Sequence, residues 1–266
     1  MPHRLLRFLV VTALVMLVAS CASTPDASAG RFESRTITVE GQTSRYQVFV
    51  PAAAARSPGP LPVVLFLHGS GERGRDGNKQ TKAGLGPYLR EHADTFPALV
   101  VLPQVPNREE WSGRNNRIAL AALDAAMAEF GADPSRQYLT GMSMGGYGSW
   151  NIALDTPDRF AAIVPVCGAV LAPREERGTL FVEAVAHEAD PYTVMAKRLK
   201  QVPIWMFHGA KDDVVRPDDD RRLNAAFQAA GARDVRYTEY PEGNHNAWDA
   251  TYADRTMWEW LFAQKR

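Results

Sequence analysis

The order of apolar segments predicts an α/β protein, a mostly parallel sheet with helices on both faces that is entered through an antiparallel hairpin. Three observations carry this. Val63 to Leu67, Ala98 to Leu102, Ala162 to Val166 and Ile204 to Phe207 are almost continuously apolar, as strands covered on both faces are. Helical spacings lie between and after these runs, which calls for right-handed crossovers. Ser34 to Val39 and Tyr46 to Val50 instead alternate, and they flank the turn Glu40-Gly41-Gln42-Thr43.

Taken in order, residues 1–20 stand outside the fold. His3, Arg4 and Arg7 give a positive start, Phe8 to Val18 is apolar, and Val18-Ala19-Ser20 ends in small residues before Cys21. This is a signal peptide, too short to span a membrane. Leu17 to Cys21 resembles the bacterial lipobox, which implies cleavage before Cys21 and its lipidation; several acyl chains would then hold the chain on a membrane of the cell envelope. Residues 21–33 are expected to form a flexible tether and residues 34–266 a single catalytic domain. With Cys21 lipidated, Cys167 is the one thiol left and no internal disulfide can form.

Within the domain, residues 117–130 place Leu120, Leu123, Met127 and Phe130 on one helical face and stop at Gly131. Residues 218–230 and 250–264 are further helix candidates, and Arg136 to Thr140 and Val235 to Tyr240 are further strands. Leu171 to Gln201 is the longest stretch without an assignable element. The 266 residues are 45% hydrophobic and 23% charged, enough for one substantial core. Lys plus Arg equals Asp plus Glu at 30 each, and no basic stripe carries interleaved aromatics, so nucleic acid is not an expected partner.

The chemistry starts at residues 140–148, Thr-Gly-Met-Ser-Met-Gly-Gly-Tyr-Gly, directly after a strand. Ser143 sits in a G-x-S-x-G frame, the pattern of a nucleophile elbow in which Gly141 and Gly145 give the backbone room. A serine hydroxyl needs an imidazole to take its proton, and the imidazole needs a carboxylate to fix its tautomer. In a parallel sheet such groups gather at the C-terminal ends of strands. Two later loops qualify. His208 to Val215 offers Asp212 or Asp213, and Pro241 to Trp248 offers His245. An oxyanion needs two backbone donors; Met144 N–H follows the nucleophile, and Ser70 N–H lies in Leu67-His68-Gly69-Ser70-Gly71 after an early strand.

The strings LHGSGERG, VLPQVP followed by Trp111, YLTGMSMGGYGSW, RFAAIVPVCG, PIWMFHGAKDDVV and YPEGNHNAW resemble the serine esterases and peptidases of the α/β-hydrolase superfamily. They are similar to its carboxylesterase, phospholipase-like and feruloyl or acetyl-xylan esterase branch, over about residues 36–262. The resemblance implies the α/β-hydrolase fold, with Ser143 as nucleophile, His245 as base, Asp212 as acid and His68-Gly69-Ser70 as oxyanion loop. It leaves Asp213 as a turn residue. The connection from Leu171 to Gln201 is longer than the family often has.

Other residues have plainer readings. Cys167 is expected to be a small buried residue near a strand end. His68 and His208 are expected to hydrogen-bond loops beneath the site, and no metal or organic cofactor is implied. Glu72 and Arg73 are expected to pair and stiffen the oxyanion loop. Trp111 and Trp248 are either core aromatics or candidates to line an acyl or sugar pocket. The expected activity is hydrolysis of carboxylic esters, small or polysaccharide-linked, through an acyl-serine. Two alternatives stand beside it. One is a prolyl-oligopeptidase-like peptidase, whose usual propeller or gating domain has no room in 266 residues. The other is a non-catalytic envelope binding protein that keeps the fold.

Overall fold

β1 (Arg31–Val39) and β2 (Gln42–Val50) form the expected antiparallel hairpin, closing on Glu40 and Gly41, which both have positive φ. Two successive left-handed residues give a turn whose twist matches that of the flanking strands. β1 begins earlier than expected. Residues 31–33, assigned to the tether, pair with Val50, Phe49 and Val48, and the Phe32 ring meets Phe49 edge-on at 5.3 Å. The computed structural model describes residues 29–52, 54 and 59–266. The signal segment, Cys21 and the tether up to residue 28 lie outside the described residues.

Six further strands follow: β3 (Leu61–Leu67), β4 (Leu99–Pro103), β5 (Ala132–Met142), β6 (Ala162–Val166), β7 (Ile204–Gly209) and β8 (Val235–Tyr240). They join the hairpin in one sheet, ordered β1-β2-β4-β3-β5-β6-β7-β8. β2 pairs antiparallel with β1 and β4, and every pairing from β4 across to β8 is parallel. The carboxyl ends of β3 and β5 to β8 therefore open on one edge, where the motif loops gather.

Among the described residues, the helices that cover the sheet are α1 (Leu85–Glu91), α2 (Gly113–Phe130), α3 (Met144–Asp155), α4 (Pro191–Leu199), α5 (Asp218–Ala229), α6 (Trp248–Ala253) and α7 (Arg255–Ala263). Strand side chains alternate between two cores. Val63, Leu65 and Leu67 face α2 to α5, whereas Val64 and Phe66 face α1, α6 and α7. Burying each such side chain contributes roughly 1.5–3 kcal/mol, which is why these strands are apolar throughout.

Three helical readings shift. α2 starts at Gly113 and ends on left-handed Gly131 as expected. The span 250–264 is two helices, because Asp254 adopts extended backbone and its carboxylate caps Thr256 and Met257 N–H of α7. The unassigned segment 171–201 holds two 3-10 turns, Glu175–Arg177 and Glu183–Val185, and then α4, which Asp190 caps with Pro191 at its first position.

Candidate active site

β5 runs straight into α3, and Ser143 is the single residue between them, at φ 53° and ψ −117°. A residue with a Cβ is strained there. Its amide donates to the Val166 carbonyl, which ties the turn to the end of β6. The two glycines of the motif are needed for close approach. A Cβ on Gly141 would stand 2.3 Å from the Gly145 carbonyl oxygen, and one on Gly145 would stand 1.9 Å from the Leu67 oxygen. The start of α3 is thus pressed against the end of β3.

The loops after β7 and β8 bring two more groups to Ser143. His245 Nε2 lies 3.0 Å from Ser143 Oγ, and His245 Nδ1 lies 2.7 Å from Asp212 Oδ2. Asp212 is buried and its other oxygen accepts N–H bonds of 2.9 Å from both Val214 and Val215. Burial pushes its pKa up, but hydrogen bonds from His208, His245 and the Val215 amide outweigh that and hold it well below the usual carboxylate range. Asp213 is exposed and takes no part. A carboxylate that only accepts forces the proton of neutral His245 onto Nδ1, leaving Nε2 free to accept from the serine.

The loop expected to hold an oxyanion lies alongside, its Leu67 and His68 carbonyls against Gly145. Ser70 opens a 3-10 turn, Ser70–Glu72, and Met144 opens α3. N–H groups at such first positions have no acceptor within their own helix. His68 anchors this loop from below: Nδ1 donates to the Gly69 carbonyl, and Nε2 accepts the Val105 amide at 3.0 Å. Those roles need a neutral imidazole, and burial lowers the His68 pKa to about 4.

Several expectations change at this edge. Trp111 is a core residue; it is 2% exposed, and its indole N–H donates to the His68 carbonyl, so it props the loop from within. Trp248 stays half-exposed and meets the His245 ring edge-on at 5.4 Å. Arg73 pairs with Glu110 and the Glu109 carbonyl rather than with Glu72, because that acidic pair sits across the loop while the Glu72 carboxyl turns toward Gly69. Cys167 is buried, and its thiol pKa is pushed far up by burial. His208 bonds carboxylates as well as a loop carbonyl.

The segment 171–201, left without a role by the sequence, reaches the loop that holds Ser70. Arg177 donates to Ser70 Oγ at 2.9 Å and lies 3.9 Å from Glu110, which also holds Arg73. Asn151 of α3 bonds the Phe181 carbonyl and the Glu183 amide, and Asp219 of α5 accepts from the Val170 and Leu171 amides and the Tyr192 hydroxyl. The start signal Asp190-Pro191, with apolar Tyr192, Met195, Ala196 and Leu199 behind it, was available in the sequence; the long-range bonds were not.

Comparison with known proteins supplies the family. The putative esterase NocK of Nocardia uniformis subsp. tsuyamanensis is 26% identical over 169 residues, 59% of this chain and 48% of that protein. A thermostable esterase of known structure superposes with a TM-score of 0.71 at 30% identity, over 88% of this chain and 63% of the other. A putative dipeptidyl aminopeptidase IV from Bacteroides ovatus superposes with a TM-score of 0.68 at 15% identity, over 90% of this chain and 36% of that one, a likeness of fold alone. The chain spans about half the length of NocK and under two thirds of the thermostable esterase. The sequence model of the prolyl oligopeptidase family matches residues 108–265, more than half of the chain and the stretch that holds Ser143, Asp212 and His245. The chain therefore belongs to the prolyl oligopeptidase family and carries the α/β-hydrolase fold.

Proposed function

We propose that this protein is a serine hydrolase that cleaves carboxylic esters through an acyl-serine intermediate. The observation that carries the reading is the continuous hydrogen-bonded line Ser143 Oγ, His245, Asp212, at 3.0 and 2.7 Å. Ser143 Oγ attacks the ester carbonyl as His245 Nε2 takes its proton. The tetrahedral oxyanion is held by the N–H groups of Ser70 and Met144. As the intermediate collapses, the alkoxide leaves with the proton from His245, and the acyl group stays on Ser143. Water, deprotonated by His245, then attacks the acyl carbon, releases the acid and restores Ser143. Asp212 remains ionised and stabilises the imidazolium in both halves. An oxyanion donor of this kind is worth roughly 10²–10³ in turnover.

The esterase names of NocK and the thermostable structure support an ester over an amide substrate. A cavity of about 350 Å³ lined by Val170, Leu171, Phe181, Val182 and Val185 supports an apolar group on that substrate. Its wall is tied by the Leu171 carbonyl to the hydroxyl of Tyr147, one helical turn after Ser143. The signal-like segment and Cys21 support a lipid-anchored position in a bacterial envelope.

Ser143→Ala should abolish hydrolysis of p-nitrophenyl acetate and labelling by a fluorophosphonate; full activity in that variant would end the proposal. Faster cleavage of dipeptide amides than of activated esters would favour the peptidase reading. Failure of the wild type to react with either reagent would favour a binding protein.

A further inference from the structure

Behind the acid of the triad stand a second histidine and a second aspartate that the acyl-transfer steps leave unused. His208 near the end of β7 and Asp220 in the first turn of α5 are both buried, at 0% and 1% exposure. His208 Nδ1 lies 2.8 Å from Asp220 Oδ2. Its Nε2 lies 2.8 Å from the Val215 carbonyl oxygen and 3.2 Å from Asp212 Oδ2, the oxygen that also meets His245.

The proton count follows from these contacts. A carbonyl only accepts, so Nε2 carries a hydrogen. Nδ1 would then be bare in a neutral ring, and a bare nitrogen cannot bond a bare carboxylate oxygen. The His208–Asp220 contact therefore holds one further proton. With Asp212 on one side of the ring and Asp220 on the other, the imidazole is the place for it.

We propose that His208 is a positioning residue, kept cationic by Asp220, whose Nε2–H grips the same Asp212 oxygen that His245 meets and sets the charge that His245 faces. The proposal rests on Ser143, His245 and Asp212 being the catalytic set. Burial alone would pull His208 down, but hydrogen bonds to Asp212 and Asp220 push it up to about 10. Burial pushes Asp220 up, while the bond to His208 and its charge pull the carboxyl back toward the ionised form. Asp220 Oδ1 has no hydrogen-bond partner among the described residues, which leaves that carboxylate dependent on His208.

The surrounding charges are occupied elsewhere. Asp219 on α5 serves the Val170 and Leu171 amides and Tyr192, and Glu239 on β8 serves Arg221 and Tyr237. Tyr147 on α3 and Cys167 after β6 are held neutral by burial.

The test is Asp220→Asn. The amide N–H can donate to Nδ1 of a neutral His208, whose Nε2–H still serves Val215 and Asp212, so shape and hydrogen bonds stay while the cation is lost. Asp212 then presents its full charge to His245. The acidic limb of kcat/KM for p-nitrophenyl acetate should move up by about half to one pH unit with KM nearly unchanged. A profile that superimposes on that of the wild type overturns the proposal. Should the variant not fold, ¹⁵N histidine NMR of the wild type decides: His208 stays doubly protonated from pH 5 to 8, and a neutral ring at pH 7 overturns it. A wild type that neither hydrolyses the ester nor labels at Ser143 would instead refute the function proposed above.

Discussion

Ser143 occupies a backbone conformation that only glycine enters freely, and the strain should be measurable by comparing Ser143→Gly with Ser143→Ala. At φ 53° and ψ −117° a residue with a Cβ stores about 1–3 kcal/mol. Glycine relieves this but loses more freedom on folding, about 0.5–1 kcal/mol relative to alanine. Both variants lose the bond from Ser143 Oγ to His245, so that loss cancels between them. The difference is then about 1 kcal/mol in favour of the glycine variant. For a domain of this size that corresponds to about 2–4 °C in Tm. The assay is thermal unfolding of both proteins at one scan rate, with hydrolysis checked to be absent in each. A glycine variant that melts at or below the alanine variant would refute the strain assigned to the elbow.

Further outcomes follow from other contacts. Asp212→Asn must turn an N–H toward one of the donors now around the carboxylate, which favours the wrong His245 tautomer; turnover should fall by about 10⁴ with little change in KM, read by steady-state kinetics. Neutral His68, at about 4 in the fold against about 6.5 unfolded, contributes stability that is complete above pH 6.5 and is lost as pH falls through about 4. The whole contribution is about 3 kcal/mol, so urea midpoints should drop between pH 7 and 4.5 less steeply in His68→Gln than in the wild type. Arg177→Ala removes the donor to Ser70 Oγ and should lower kcat by about tenfold, with Tm shifted by less than about 3 °C; unchanged kcat would show that the oxyanion loop holds itself.

The sheet was legible because its central strands are buried on both faces, so their apolar runs stand out without alternation. The candidate site was legible because a serine between two close-packed glycines, an aspartate and a histidine each follow a strand. What stayed hidden depended on partners far along the chain. Residues 31–33 carry a single apolar side chain, Phe32, and become strand only by pairing with 48–50. α1 contains Gly86 and Pro87, which read as breakers, yet a Cβ on Gly86 would strike the Thr81 carbonyl, so the glycine is a packing requirement. The sequence leaves Trp111 open between core and pocket because spacing gives no sign of the His68 carbonyl waiting beneath it. Arg73 has its partner 37 positions away, and His208 has one 12 away.

The hydrogen bond from Arg177 to Ser70 and the shared Glu110 tie the β6–β7 connection to the loop that the proposed mechanism sets around the reacting carbonyl. Under the proposed function, selectivity and rate are therefore mechanically coupled. Exchanging the connection to admit a different acyl group would also slacken the grip on the oxyanion. A graft that retargets the protein would need to carry its own arginine, or a new brace for Ser70, to keep its speed.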